Sequence, residues 1–92
     1  MRVMITVEPV SEELWMVTVS SRTTTQHRVR LSAKDLRRFG GGASTPERLL
    51  KASFRFLLDR EPNTAILGEF DLSVIGRYFP EFEREIPRYL ED

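Results

Sequence analysis

The chain has 92 residues, of which 40% are hydrophobic and 30% charged, and 14 basic and 14 acidic residues give it a net charge of zero. This length and composition predict one globular domain and exclude a disordered chain. Cysteine is absent, which excludes disulfides and thiolate metal sites and favours the reducing cytoplasm. The apolar runs are too short for a membrane span, and residues 1–8 lack the features of a signal peptide.

Three segments alternate apolar and polar residues with period two, which is the pattern of strands with one buried face. They cover residues 2–8, 14–20 and 24–31. Because the connections between them are short, we predict a three-stranded antiparallel meander over residues 1–31. Its buried face should hold Val3, Ile5, Val7, Trp15, Val17, Val19, Val29 and Leu31.

The pattern changes at Ser32, which can cap a short helix predicted over residues 32–39. Asp35 stands where its carboxylate can reach back to the cap amide. Glycines follow at positions 40 to 42 and end this helix, since glycine adopts the left-handed conformation of a helix end without strain. Residues 40–44 are therefore predicted to form a Gly-rich joint.

The main helix is predicted over residues 45–61. Ser44 or Thr45 can cap it, Pro46 suits its first turn, and Glu47 would complete a capping box with Ser44. Apolar residues then recur at spacings of three and four, which predicts a broad buried stripe. Lys51, Arg55 and Arg60 should point outward, and the core should include Leu50, Phe54 and Leu57.

Residues 63–92 are predicted to form a helical tail of short segments, interrupted by Gly68, Pro80 and Pro87. Ile75 should join the core. The predicted fold is therefore a single α+β domain over residues 1–92. A three-stranded antiparallel meander is covered by one main helix, with a helical C-terminal extension.

The charges are unevenly distributed along the chain. Residues 1–60 hold 11 Lys and Arg against 6 Asp and Glu, whereas residues 61–92 hold 3 against 8. The two halves can attract each other within one molecule or between copies, or the basic half can meet an anionic partner.

Basic residues cluster in the third strand and the first helix. The candidate anion or nucleic-acid surface comprises Arg22, Arg28, Arg30, Lys34, Arg37 and Arg38. Such a face could lie along phosphates. No aromatic residues interleave with it to stack on bases, so a solvated face with scattered salt bridges is the competing interpretation.

The C-terminal half is rich in aromatic residues. They close the core or form a protein interface in which Tyr and Phe act as anchors. The candidate interface residues are Phe70, Tyr78, Phe79, Phe82 and Tyr89.

No motif predicts catalysis. His27 is the single histidine, and it is expected to be a structural strand residue with its hydrogen bonds satisfied. Glu81, Glu83 and Glu85 are expected on a solvated helix face with Arg84 and Arg88 as local partners. We therefore predict no catalytic residue, cofactor or metal site.

The leading interpretation is a non-enzymatic protein-interaction module of the bacterial cytoplasm that associates with itself or with another protein. The alternative is a nucleic-acid-binding regulatory protein that uses the basic sheet face. No membrane partner is predicted.

Two segments carry a resemblance. ASFRFLLDREPNTAIL (52–67) and FDLSVIGRYFPEFE (70–83) resemble a family of small bacterial proteins to which no activity is assigned. The order of three strands followed by a helix is similar to that of the antitoxins of the HicB class, and this likeness implies a fold only. Ser20-Ser21-Arg22-Thr23 stands where that class has a Pro-Asp-Leu-Pro-Gly type of segment.

Overall fold

The computed structural model describes residues 2–42 and 44–91 and has an α+β fold. The strands are β1 (Met4–Pro9), β2 (Leu14–Ser20), β3 (Thr24–Arg30) and β4 (Glu69–Asp71). The helices are α1 (Ala33–Gly40), α2 (Pro46–Leu58), α3 (Val74–Tyr78) and α4 (Phe82–Leu90), and a 3-10 turn spans Asn63–Ala65. Met1, Ala43 and Asp92, which fall in the predicted meander, Gly-rich joint and tail, lie outside the described residues. No helix within the described ranges is long and apolar enough to cross a membrane.

The sheet has four strands in the order β1-β2-β3-β4. The antiparallel pairings of β1 with β2 and of β2 with β3 agree with the predicted meander. The predicted strand number is wrong, because β4 adds a parallel partner to β3 with Phe70 opposite Val29. Three residues are too few to show a period-two pattern, and the helical region before β4 supplies the crossover that a parallel pair needs.

One face of the sheet is covered by helices. Val17, Val19 and Val29 are fully buried on this inner face. Val3 was expected in the core, but it is 45% exposed, and Ile5 and Val7 are only partly buried. The reason is the position of β1 at the edge of the sheet, where its side chains have a neighbouring strand on one side only. Trp15, also expected in the core, is partly buried.

Helix α2 is buried on two sides. Phe54 faces the sheet, with its ring 5.3 Å from the His27 imidazole and 6.1 Å from the Phe70 ring. Phe56 faces the opposite way and lies 5.0 Å from the ring of Phe82 in α4. The core therefore has one layer between the sheet and α2 and a second layer between α2 and the helical tail.

The first helix begins and ends at specific residues. The Ser32 hydroxyl accepts a hydrogen bond of 3.1 Å from the Asp35 backbone N–H, and Gly41 ends α1 with a φ of 68°. Gly40 belongs to α1 and is buried, so the Gly-rich joint starts one residue later than predicted. A Cβ on Gly40 would lie 3.2 Å from the Ser44 Cβ, which explains why glycine suits this close approach.

The start of α2 differs from the prediction by one residue. Thr45 is the cap, and its hydroxyl accepts a hydrogen bond of 3.2 Å from the Arg48 backbone N–H. The predicted capping box of Ser44 and Glu47 is therefore wrong, because the third residue after the cap is Arg48. The helix ends at Leu58 rather than at 61.

Charged side chains connect the basic and acidic halves of the chain. Arg38 pairs with Glu83 at 2.9 Å, and Arg60 pairs with both Glu81 and Glu85 at 3.1 Å. These ion pairs confirm that the two halves attract each other within one molecule. They also correct the expectation that Arg60 points outward and that Glu81 and Glu85 are on a solvated face, since all three are partly buried. Glu83 is exposed as expected, and Arg84 lies 3.9 Å from Glu85 as the expected local partner.

Candidate protein-binding site

An apolar cavity of about 340 Å³ lies between the end of α2, the 3-10 turn, β4 and α3. Its floor is formed by buried side chains, namely Leu57, Ile66, Phe70 and Ile75. Its rim is exposed: Tyr78 is 67% and Leu67 is 47% accessible to solvent. The cavity is therefore a surface depression whose walls and rim are both largely apolar.

One of the residues that line this cavity is acidic. Glu61 follows α2 and is partly buried. Among the described residues, no ion pair or side-chain hydrogen bond engages its carboxylate. The neighbouring Arg60 is directed away, towards Glu81 and Glu85 of the tail. The cavity thus offers a negative charge beside apolar surface.

A buried polar network holds the segment that forms one wall of the cavity. The Asn63 side-chain amide donates to the Thr23 carbonyl oxygen at 2.8 Å and to the Thr25 hydroxyl at 3.0 Å. The Thr25 hydroxyl and the His27 Nε2 are 2.8 Å apart, and the His27 Nδ1 is 2.7 Å from the Leu67 carbonyl oxygen. These bonds fix the 3-10 turn and Leu67 against β3.

The network confirms that His27 is a structural strand residue with satisfied hydrogen bonds. Its ring is 2% exposed, and both of its nitrogens have partners. Sequence reasoning did not identify Asn63, because the partners of its amide lie about 40 residues away in the chain. Its position after Pro62 was the available signal, since Asn commonly fixes turns by hydrogen bonding to nearby backbone.

The predicted interface aromatics divide between two places. Phe70, Tyr78 and Phe79 line the cavity. Phe82 is fully buried, with its ring 5.1 Å from that of Phe39, and Tyr89 packs 5.7 Å from the Phe56 ring. Phe82 therefore closes the core, the other of the two predicted roles, and Tyr89 is partly buried, because the apolar stripe of α4 packs on α2.

Tyr89 keeps one polar contact at the edge of this second core layer. Its hydroxyl donates a hydrogen bond of 2.6 Å to an Asp59 carboxylate oxygen. That bond raises the pKa of Tyr89 above its ordinary value, and the hydrogen bond with Arg60 opposes it. Tyr89 thus joins α4 to the end of α2 and is not free to anchor a partner.

The candidate basic residues of the sheet are exposed but have acidic neighbours. Arg28 and Arg30 lie on the outer face of β3, which the helices do not cover. In the parallel pairing with β4, Glu69 stands opposite Arg28 and Asp71 opposite Arg30. A depression of about 160 Å³ is lined by these four residues together with Leu14 and Phe70. The local charge at this edge of the sheet is therefore mixed.

The other candidate basic residues lie elsewhere. Arg22 belongs to the turn between β2 and β3, and β3, which is about 20 Å long from Thr24 to Arg30 at roughly 3.3 Å per residue, separates it from Arg30. Lys34, Arg37 and Arg38 lie on α1 in the helical layer. The hydrogen bond from Arg38 holds the pKa of Glu83 below its ordinary value. The six residues thus occupy three separate places on the protein.

In the part of the chain that the structure describes, no group of three or more His, Cys, Asp or Glu residues is placed to hold a metal ion. In comparison with known proteins, no family model, no curated protein and no solved structure matches this chain. The resemblance of residues 52–83 to a bacterial family and the likeness to HicB-class antitoxins stay predictions.

Proposed function

We propose that the protein is a non-enzymatic protein-interaction module that binds a short segment of a partner protein in the apolar cavity. The partner places an apolar side chain on the cavity floor and a lysine or arginine beside Glu61. The observation that carries this proposal is that Glu61, whose carboxylate has no partner among residues 2–42 and 44–91, lines an apolar depression with an exposed aromatic rim.

The size of the cavity supports a side chain or a short peptide segment as its occupant. A volume of about 340 Å³ is near the lower end of the range for ligand pockets, roughly 300–1,000 Å³. Tyr78 at the rim is of the residue type enriched at interfaces, because a large rigid ring buries much area with few rotatable bonds. An apolar side chain bound here would cover Leu67 and Tyr78 and remove their surface from water.

The charge of Glu61 supports a basic neighbour on the partner. An exposed ion pair contributes little to binding. Glu61 is partly buried and lines an apolar depression, where screening by water is weaker. A cation beside it would therefore bind more strongly than one at an open surface. An acidic residue at the same place would be repelled, which gives the site a preference between peptides of similar hydrophobicity.

The proposal is tested with an array of short synthetic peptides, each carrying a central Leu, Ile or Phe next to Lys, Arg, Gln or Glu. We expect the protein to select peptides with the basic neighbour. Substitution Glu61→Gln should reduce this preference by roughly fivefold, which corresponds to about 1 kcal/mol, while binding of the Gln-containing peptides stays unchanged.

Ala65→Phe and Thr64→Phe form a matched pair. Both residues are exposed on the 3-10 turn, but only Ala65 lines the cavity. Ala65→Phe should fill the cavity and abolish peptide selection, whereas Thr64→Phe should retain it. The proposal is overturned if the array shows no selection, or if Ala65→Phe selects the same peptides as the unmodified protein. Saturable binding of an apolar small molecule without peptide selection would also count against it.

A further inference from the structure

Strand β1 leaves one edge of the sheet open. It pairs with β2 on one side and, within residues 2–42 and 44–91, with no strand on the other. Val3, Met4 and Val10, around its ends, are among the exposed large hydrophobic residues of the protein. Ile5 and Val7 are only partly buried on the inner face. Open edges with apolar side chains are templates for pairing with another strand.

The hydrogen-bonding pattern shows which residues point their backbone groups outward. The Val10 N–H donates to the Leu14 carbonyl oxygen at 2.8 Å, which continues the pairing of β1 with β2 beyond Pro9. Along an antiparallel strand, the backbone N–H and C=O groups of successive residues point alternately to the two sides. The even-numbered residues of β1 therefore direct these groups towards β2. Val3, Ile5 and Val7 therefore face the open edge. Pro9 is also odd-numbered, so its backbone points away from β2. Its lack of an N–H therefore costs no hydrogen bond to β2.

We propose that two copies of this chain associate by antiparallel pairing of β1 with β1, with Ile5 opposite Ile5 of the second copy. This register places Val3 opposite Val7 of the second copy and Val7 opposite its Val3. Each of these residues directs both its N–H and its C=O outward. The pairing thus combines backbone hydrogen bonds with a row of β-branched side chains on the inner face.

The charges of β1 and of the residues just before it are complementary in the same register. Arg2 stands opposite Glu8 of the second copy, and Glu8 opposite its Arg2. Both side chains are exposed, and neither takes part in an ion pair among the described residues. In an antiparallel ladder these even-numbered positions form the closer, non-hydrogen-bonded pairs, in which side chains meet most directly.

Other registers fit less well. A shift by one residue would place inner-face residues opposite outer-face residues. A shift by two, with Thr6 opposite Thr6, places Met4 opposite Glu8 and Val3 opposite Pro9, which has no N–H to donate. Only the register centred on Ile5 joins Arg2 to Glu8 and keeps Pro9 outside the ladder. This pairing is limited to two copies, because it uses the open β1 edge of each copy and leaves no free β1 for a third.

The two-fold axis of such a pair is perpendicular to the sheet, so the helices of both copies lie on the same side of an eight-stranded sheet. The apolar cavity is next to Phe70 of β4, at the other edge of each sheet. Self-association through β1 therefore leaves both cavities open. The inference is independent of the proposed function, and each can fail without the other.

Charge exchange at β1 tests the pairing. Sedimentation or light scattering from about 1 μM to about 1 mM should show a dimer whose dissociation constant rises roughly tenfold in Arg2→Glu and in Glu8→Arg. The combined variant, Arg2→Glu with Glu8→Arg, should restore the original constant to within about threefold. Arg88→Glu, an exposed change of the same charge on α4, is the control and should leave the constant unchanged.

Cysteine cross-linking tests the register, and the absence of natural cysteine makes its result unambiguous. Met4 and Thr6 are exposed on the outer face and would be directly opposite each other, at about 4.5 Å between Cα atoms. A mixture of Met4→Cys and Thr6→Cys proteins should form the mixed disulfide dimer under mild oxidation. Thr6→Cys alone should cross-link poorly.

Three results would overturn the inference. One is a monomer at every concentration, and another is a dimer that neither charge variant weakens. The third is efficient cross-linking of Thr6→Cys with itself, which belongs to the shifted register. Ala65→Phe should leave the dimer intact, and Arg2→Glu should leave peptide selection intact, so a failure of one proposal is distinguishable from a failure of the other.

Discussion

The His27 imidazole donates a hydrogen bond of 2.7 Å from Nδ1 to the backbone carbonyl oxygen of Leu67, across 40 positions of sequence. A carbonyl oxygen can only accept, so Nδ1 carries a proton, and Nε2 lies 2.8 Å from the Thr25 hydroxyl. The contact attaches the rim of the apolar cavity to the centre of the sheet. The sheet residue that sequence reasoning treated as purely structural thus positions part of the candidate site.

His27→Phe should lower the free energy of unfolding by about 1–2 kcal/mol, because it leaves the partly buried Leu67 carbonyl oxygen without its partner. Phenylalanine keeps an aromatic ring against Phe54, so the loss reports mainly on hydrogen bonding. Urea unfolding measures the change, and Gln26→Ala on the exposed face of the same strand is the control. A change below about 0.5 kcal/mol in His27→Phe would show that the network contributes nothing to stability.

The Arg60 guanidinium connects α2 to the tail through several contacts at once. It donates to Glu81, to Glu85 and to the Phe56 carbonyl oxygen, and its Cζ lies 3.6 Å from the centre of the Phe56 ring. Burial lowers the pKa of Arg60, but its hydrogen bonds with Tyr89, Glu81 and Glu85 together raise it above its ordinary value. The side chain is therefore charged and held in a fixed position.

Arg60→Lys should destabilise the protein by about 1–2 kcal/mol even though it keeps the positive charge. Lysine has a single ammonium group and cannot donate in a fork to two carboxylates while its plane stacks on a ring. Arg55→Lys, an exposed change on α2 just before Arg60, is the matched control and should be neutral in thermal or urea unfolding. Equal stability of the two variants would show that charge alone accounts for the effect of Arg60.

Periodicity was sufficient to predict the three longer strands, α1 and most of α2. It could not predict β4, because the pairing of Phe70 with Val29 depends on a crossover that no local pattern records. Arg60 and Glu61 show the same limit. They are adjacent in sequence, yet one is held between helices and the other lines the cavity. The spacing of apolar residues predicts which face of a helix or strand is buried. The candidate site, however, is formed by elements that are distant in sequence, and their packing cannot be read from local spacing.

The contacts of Glu81 should make the free energy of unfolding depend on pH. A hydrogen bond from its own backbone N–H, followed by the one from Arg60, holds the pKa of Glu81 below its ordinary value. A carboxyl whose pKa is lower in the folded state stabilises the fold above its unfolded-state pKa, and this contribution is lost as the pH falls through the folded-state value. The unfolding free energy should therefore decline as the pH falls below about 4 to 5.

Glu81→Gln should make this decline shallower and should lower stability near neutral pH, where the wild-type carboxylate is charged. Urea unfolding at intervals from about pH 7 to about pH 3 measures both effects. Glu91→Gln, an exposed change after α4, is the control for the loss of one negative charge. If the wild type and Glu81→Gln declined in parallel, the contacts of Glu81 would not be a source of acid sensitivity.

The outer sheet face tests the alternative prediction of nucleic-acid binding. A phosphate backbone along Arg28 and Arg30 would also meet Glu69 and Asp71, which stand opposite them in β4. We therefore expect a fluorescent single-stranded oligonucleotide to bind weakly at low salt and without saturation. Glu69→Gln with Asp71→Asn should increase that binding, because it removes two negative charges from the same face. Saturable binding by the unmodified protein, lost in Arg28→Ala with Arg30→Ala and falling steeply with salt, would instead favour the basic face as the functional surface.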